Sequence, residues 1–123
     1  MKLYGGYDMF NEICIYEAKL NKEQEIEELM RDVAKFYKEQ DGVIDVYYVK
    51  RNYRQKDFNA VKAGEVPIPL TRYVDKITYV LVWKLKDKET HAKICPLAFE
   101  KFYKRWTRCL ITMPKIILGE IIA

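Results

Sequence analysis

Apolar residues along this chain recur with two periods, and the switches between them divide it into elements. Residues 12–20, Glu-Ile-Cys-Ile-Tyr-Glu-Ala-Lys-Leu, are β-branched and aromatic at the centre and end in a polar stop, which predicts a first strand. From Lys22 the spacing changes: Ile26, Leu29, Met30, Val33, Ala34 and Tyr37 return at steps of three and four, the single stripe of an amphipathic helix. Asn21 is placed to cap that helix, Glu23 and Glu25 suit the positive end of its dipole, and Asp41-Gly42 offers a left-handed closure. Residues 43–53 and 76–85 are strands by composition. Between them, residues 54–75 sustain neither period, and Pro67 and Pro69 exclude an ordinary central strand or helix. Most connections run to about 4–6 residues, so a segment this long predicts a functional loop, a lid or an arm to a partner. Asp87 is a cap candidate for a second helical stretch, which Pro96 is expected to divide into a short helix, 88–94, and a longer one, 96–109. Phe99, Phe102, Tyr103, Trp106, Cys109 and Leu110 share one face of the longer piece, while Lys101, Lys104, Arg105 and Arg108 lie off it as a solvated face. A last strand covers 115–122. The order is strand-helix-strand-strand-helix-strand, an α+β chain.

The strands carry a second message. A sheet covered by helices on one side alternates apolar inward with polar outward, and these do not. In the third strand Ile77, Tyr79, Leu81, Trp83 and Leu85 point one way and Val80 and Val82 the other; in the last, Ile116, Leu118 and Glu120 oppose Ile117, Gly119 and Ile121. Strands apolar on both faces are normally buried on both. Two helices cover one face of a four-stranded sheet, so the other calls for a second subunit or the long loop. A homodimer joined through the sheet face is the expected arrangement.

Length and composition narrow the field further. At 123 residues the chain has the size of one domain, 1–123, with 1–10 an extension ahead of the first strand. It is 50% hydrophobic and 33% charged, a globular balance. The net charge of +4 comes from 22 Lys and Arg interleaved with 18 Asp and Glu, with no basic stripe or groove-reading motif, which counts against nucleic acid as a partner. The first twenty residues lack the apolar run and cleavage site of a signal peptide, and no segment approaches a membrane span, so a soluble cytoplasmic protein is expected. Cys14, Cys95 and Cys109 are odd in number and embedded in apolar patterns, reading as reduced, buried thiols. One histidine and no Cys-x-x-Cys pair argue against zinc, and no metal or other cofactor is expected.

The stretch Val-Leu-Val-Trp-Lys-Leu-Lys-Asp-Lys-Glu-Thr-His-Ala-Lys-Ile-Cys-Pro-Leu-Ala-Phe-Glu-Lys-Phe resembles the antibiotic-biosynthesis-monooxygenase-like group of the dimeric α+β barrel superfamily. There a strand ending in Val-Trp leads to a short helix carrying a histidine, then a small residue, Pro and an aromatic; Trp83, His91, Pro96 and Phe99 supply those parts, with His91 one residue nearer Trp83. The resemblance covers roughly residues 11–122. It implies a ferredoxin-like βαββαβ fold with an antiparallel sheet, paired into a dimeric barrel. It also implies a cofactor-independent oxidation of a small aromatic or quinol-type molecule. A noncatalytic ligand-binding or assembly module of the same fold is the alternative. Haem binding or degradation is a third reading, against which the helix positions that branch uses fall on Lys93 and Tyr103.

His91 is the single imidazole and has the ordinary pKa for proton transfer near neutrality. A surface or helix-start histidine is the plainer reading, since spacing fixes no acidic or nucleophilic partner for it. Tyr79, Trp83, Phe99, Tyr103 and Trp106 could line an apolar pocket for a flat aromatic substrate, or simply fill the core. No phosphate-cradling glycine loop, nucleophile elbow or metal-binding helix is present.

Overall fold

The computed structural model describes residues 9–123. Strand β1 (Phe10–Ala18) leads through a 3-10 turn, Leu20–Lys22, into helix α1 (Glu23–Lys38), then strand β2 (Val43–Lys50). The excursion that follows holds β3 (Tyr53–Arg54), α2 (Phe58–Lys62) and β4 (Ile68–Pro69). Strand β5 (Ile77–Leu85), helix α3 (Lys88–Cys109) and β6 (Lys115–Glu120) complete the chain. The sheet runs β2-β5-β1-β6 with every neighbouring pair antiparallel, and β3 and β4 form a separate two-stranded ribbon. The expected α+β, ferredoxin-like order is the one observed.

Helices α1 and α3 lie on one face of the sheet. On β1, Glu12, Cys14, Tyr16 and Ala18 are buried in strict alternation, and on β5 so are Ile77, Tyr79, Leu81, Trp83 and Leu85. Helix α1 meets them with Ile26, Leu29, Met30, Val33 and Tyr37, and α3 with Ile94, Ala98, Phe102 and Cys109. The helices touch through the edge of Phe36 on Phe102, centroids 5.7 Å apart, and through Arg105 and Asp32 at 2.9 Å. At the end of α1, Gly42 takes φ +87°, and a Cβ there would come within 2.8 Å of Thr90 Cγ2. Both the turn and the close approach of α3 therefore require glycine. Among the described residues no helix is long and apolar enough to cross a membrane.

The opposite face is uncovered by any described element. It carries Ile13 and Ile15 from β1, Val80 and Val82 from β5, Tyr47 and Val49 from β2 and Ile117 from β6, brought into adjacent rows by the strand register. Tyr47, Val49 and Ile117 are about half exposed, at 48–50%.

Several expectations are corrected. Asn21 does not cap α1: Lys22 occupies the cap without a side-chain bond, because the 3-10 turn displaces Asn21 from that position. Pro96 does not divide the second helical stretch. Helix α3 runs through it, since Ile94, Ala98 and Phe102 anchor both sides of the proline to one core, and that burial outweighs the lost hydrogen bond of about 3 kcal/mol. Residues 54–75 are not a plain loop, because the chain closes on itself at Leu70 N–H to Asn52 O (2.9 Å) and holds a helical turn capped by Asp57. Phe10, assigned to an N-terminal extension, belongs to β1; residues 1–8 of that extension lie outside the described residues. Cys95 is partly exposed rather than buried. The cap expected at Asp87 is present, its carboxylate accepting from Thr90 N–H at 2.8 Å and Thr90 O–H at 2.6 Å. Asp87→Ala is expected to lower stability by about 1 kcal/mol in denaturant titration, whereas Asp87→Asn retains most of it.

Candidate functional site

The register of β1 decides what surrounds the single histidine. Glu12 occupies an inward position of β1, directly opposite Trp83 on β5. His91 follows the Asp87 cap in the first turn of α3, and Cys95 sits one turn further on the same side. Folding thus places Glu12 Oε1 2.7 Å from His91 Nε2. The Cys95 sulfur lies 3.4 Å from His91 Nε2 and 3.6 Å from Nδ1. Phe10 and Trp83 flank the imidazole, each with its centroid 5.1 Å away, and Tyr37 stacks on Trp83 at 3.9 Å.

A carboxylate 8% exposed is costly to bury without a partner, and His91 is that partner. The contacts with the Cys95 sulfur and with Glu12, against the opposing cost of burial, lift the imidazole pKa to about 9. The raised value favours the protonated ring, in which Nε2–H donates to Glu12 Oε1. Around it the other acids are kept neutral: burial pushes Cys14 up to about 12, and Tyr16, Tyr37 and Tyr48 also rise by burial. Two buried groups, Trp83 Nε1 and the Tyr48 hydroxyl, find no hydrogen-bond partner among the described residues. Each such group costs about 1–3 kcal/mol.

The aromatic residues singled out by sequence do not share one pocket. Trp83 adjoins His91. Tyr79 is buried four residues away on β5, its hydroxyl donating to Glu27 at 2.7 Å. Trp106 stacks on Tyr16 at 4.7 Å. Phe99 and Tyr103 pack on each other, centroids 4.5 Å apart, at an exposed face of α3. Lys93 is exposed as well, so the positions that would serve haem do not turn toward His91. A cleft of about 310 Å³ opens between α1 and β2, lined by Glu27, Met30, Val46, Tyr48, Lys50 and Tyr79. Tyr48, one of the two unpartnered groups, lines this cleft; Trp83, the cross-strand partner of Val46, does not. A wider one of about 650 Å³ lies under the excursion, beside Arg51, Arg54, Arg72 and Tyr73. Neither is lined by His91.

Sequence reasoning missed Glu12 and Cys95. The signal for Glu12 was an acid at an inward position of a strand whose other inward residues are Cys, Tyr and Ala; the signal for Cys95 was its spacing of four from His91 on a helix. Spacing rules built on Cys-x-x-Cys do not see either.

No protein-family model matches the sequence, and no curated protein matches it. Solved structures do. A conserved protein from Methanosarcina mazei Go1 superimposes with a TM-score of 0.69 at 14% identity, covering 95% of this chain and 96% of the other. A candidate antibiotic biosynthesis monooxygenase from Nitrosomonas europaea gives 0.66 at 13% identity, covering 98% and 96%. SnoaB, a cofactor-independent oxygenase from Streptomyces nogalater, gives 0.64 at 13% identity, covering 94% and 95%. The fold is that of the antibiotic-biosynthesis-monooxygenase-like proteins. At these identities the likeness is one of fold, and the chemistry has to come from the residues above.

Proposed function

We propose that the protein is a homodimeric, cofactor-independent monooxygenase-like enzyme acting on a small phenolic or quinol-type ring. The observation that carries this reading is the buried Glu12–His91 pair set against Trp83. An electron-rich ring gives its phenolic proton to solvent, and the resulting ring anion passes one electron to dioxygen. The resulting pair combines at a ring carbon, and a peroxide on a carbon that still bears hydrogen loses water to leave a carbonyl. The imidazolium suits the first and last stages: a fixed positive charge favours the ring anion, and its proton is available to the peroxide oxygen. Trp83 Nε1–H and the Tyr48 hydroxyl supply donors for the substrate's oxygens. SnoaB, with the same fold, is a cofactor-independent oxygenase, which supports the class of reaction.

Oxygen uptake by the pure protein over a panel of quinols and polyphenols is expected to exceed the uncatalysed rate. His91→Gln should reduce it by about 100-fold, the usual scale of a lost acid–base group. Uptake equal to the uncatalysed rate across the panel would overturn the reading. A second reading, a noncatalytic ligand-binding module, is favoured by the filled core, in which Trp83 and Tyr79 are almost wholly buried. Its mark would be binding of a phenol without oxygen uptake.

In this reading the dimer forms through the open sheet face, and the excursion, which exposes Phe58, Val61 and Val66, offers further apolar surface to a partner or ligand. Replacing residues 53–69 with a short glycine turn should spare folding, because Leu70 and Asn52 already meet at its base. It should weaken dimerisation or ligand binding. A shortened protein with wild-type strength in both would make the excursion a spacer.

A further inference from the structure

Glu12, His91 and Cys95 bring together a carboxylate oxygen, an imidazole nitrogen and a thiol sulfur, all within 4.8 Å of one another. Among the described residues no other group of this kind is present. Two of the three stand on successive turns of α3 and the third at an inward position of β1, so regular secondary structure, not a loop, sets their spacing. Metal–ligand bonds of about 2.0–2.3 Å in a tetrahedral zinc site place ligand atoms about 3.3–3.7 Å apart. The Cys95 sulfur and His91 Nε2 are already 3.4 Å apart. Glu12 Oε1 and Nε2, at 2.7 Å, are separated by a shared proton and need to part by about half an ångström for an ion to replace it. The sulfur is nearly equidistant from both ring nitrogens, so the imidazole must also tilt to aim Nε2 at an ion held by the sulfur.

We propose that Glu12, His91 and Cys95 form a binding site for a thiophilic divalent cation of the zinc class, with a fourth position open to water or a ligand oxygen. Sulfur and imidazole select zinc or cobalt over magnesium and calcium, which prefer six or more oxygens. Phe10 and Trp83 limit water around the imidazole and hold its ring, as the surroundings of a metal-bound histidine must. An ion on Nε2 takes the place of the proton, so occupancy would withdraw His91 from proton transfer and switch the oxidation off. That last step rests on the function proposed above; the binding does not.

Cobalt(II) alone, added to the metal-free full-length protein, tests the site. One equivalent is expected to produce a thiolate-to-cobalt band in the near ultraviolet together with the intense visible bands of four-coordinate cobalt. Zinc should abolish them, and magnesium in large excess should not. Cys95→Ser should remove the near-ultraviolet band, and His91→Gln should weaken binding by more than about tenfold. Because a variant can fail to fold, the wild-type protein provides a second readout: zinc should raise its melting temperature where magnesium does not. No cobalt band in the wild type, or an unchanged band in Cys95→Ser, would overturn the site. Oxygen uptake unaffected by bound zinc would overturn the switch and leave the site standing, while failure to detect any oxygen uptake bears on the proposed function alone.

Discussion

Val82→Asp is expected to convert the protein into a poorly folded monomer. Val82 lies in the middle of the sheet, paired across the strands with Ile13 on one side and Tyr47 on the other, on the face the helices do not cover. Its neighbours in the same layer are Ile15, Val49, Val80 and Ile117. Each large apolar side chain left in water forgoes about 1.5–3 kcal/mol, and a domain's net stability is about 5–15 kcal/mol, which is the ground for proposing that a second copy covers this face. An obligate interface of that kind typically buries about 2,000 Å² or more. A carboxylate at its centre would be desolvated in each subunit and would face its symmetry mate, costing several kcal/mol per dimer. Sedimentation and thermal melting should therefore show loss of the dimer and of stability together. Thr78→Asp, on the same face but at the end of β5, should do much less. A Val82→Asp protein that stays dimeric with wild-type stability would mean that this face is not the interface.

Stability should also fall as pH rises from about 6.5 to 9. The sign follows from His91, whose pKa is raised from 6.5 to about 9 in the folded chain. Below 6.5 the imidazole is protonated in both states and its pairing with Glu12 contributes in full. Between 6.5 and 9 the unfolded chain has released the proton that the folded chain still holds, and the contribution declines until it is gone above 9. The buried thiols Cys14 and Cys109, raised to about 12 and 11, act in the same direction only from about pH 9 upward, so the two windows separate. Denaturant midpoints at fixed protein concentration, with a chelator present, are expected to drop between pH 6 and 9 in the wild type and to stay nearly level in His91→Gln. An equal drop in both would assign the effect to other groups.

The parts of the fold that rest on repetition were legible in the sequence, and those that rest on single contacts were not. Helix α1 declares itself by six apolar residues on one stripe, and β5 by five inward residues whose burial the structure reproduces one by one. The two-faced pattern of β5 likewise marked Val80 and Val82 as a separate surface. Pro96 misled because the local rule for proline is weaker than the packing of Ile94, Ala98 and Phe102 on either side of it. In the candidate site, Trp83 and His91 were both visible as residues, yet their meaning depends on Glu12, 79 positions away from His91 in sequence and 2.7 Å away in space. No periodicity encodes that distance; it follows from β1 lying between β5 and β6 and from α3 crossing over it. Phe99 and Tyr103 misled for the same reason. Their spacing places them on a common helix face, but which face meets the sheet is set by the helix's rotation, and that is fixed by Ala98 and Phe102.

Light scattering of the wild-type protein across a dilution series bears most directly on whether the open face of the sheet is covered by a second copy. The mass should stay at twice the 14.7 kDa of the chain down to micromolar concentration, and any loss of dimer on further dilution should coincide with loss of structure. A well-folded monomer of 14.7 kDa at micromolar concentration would contradict it.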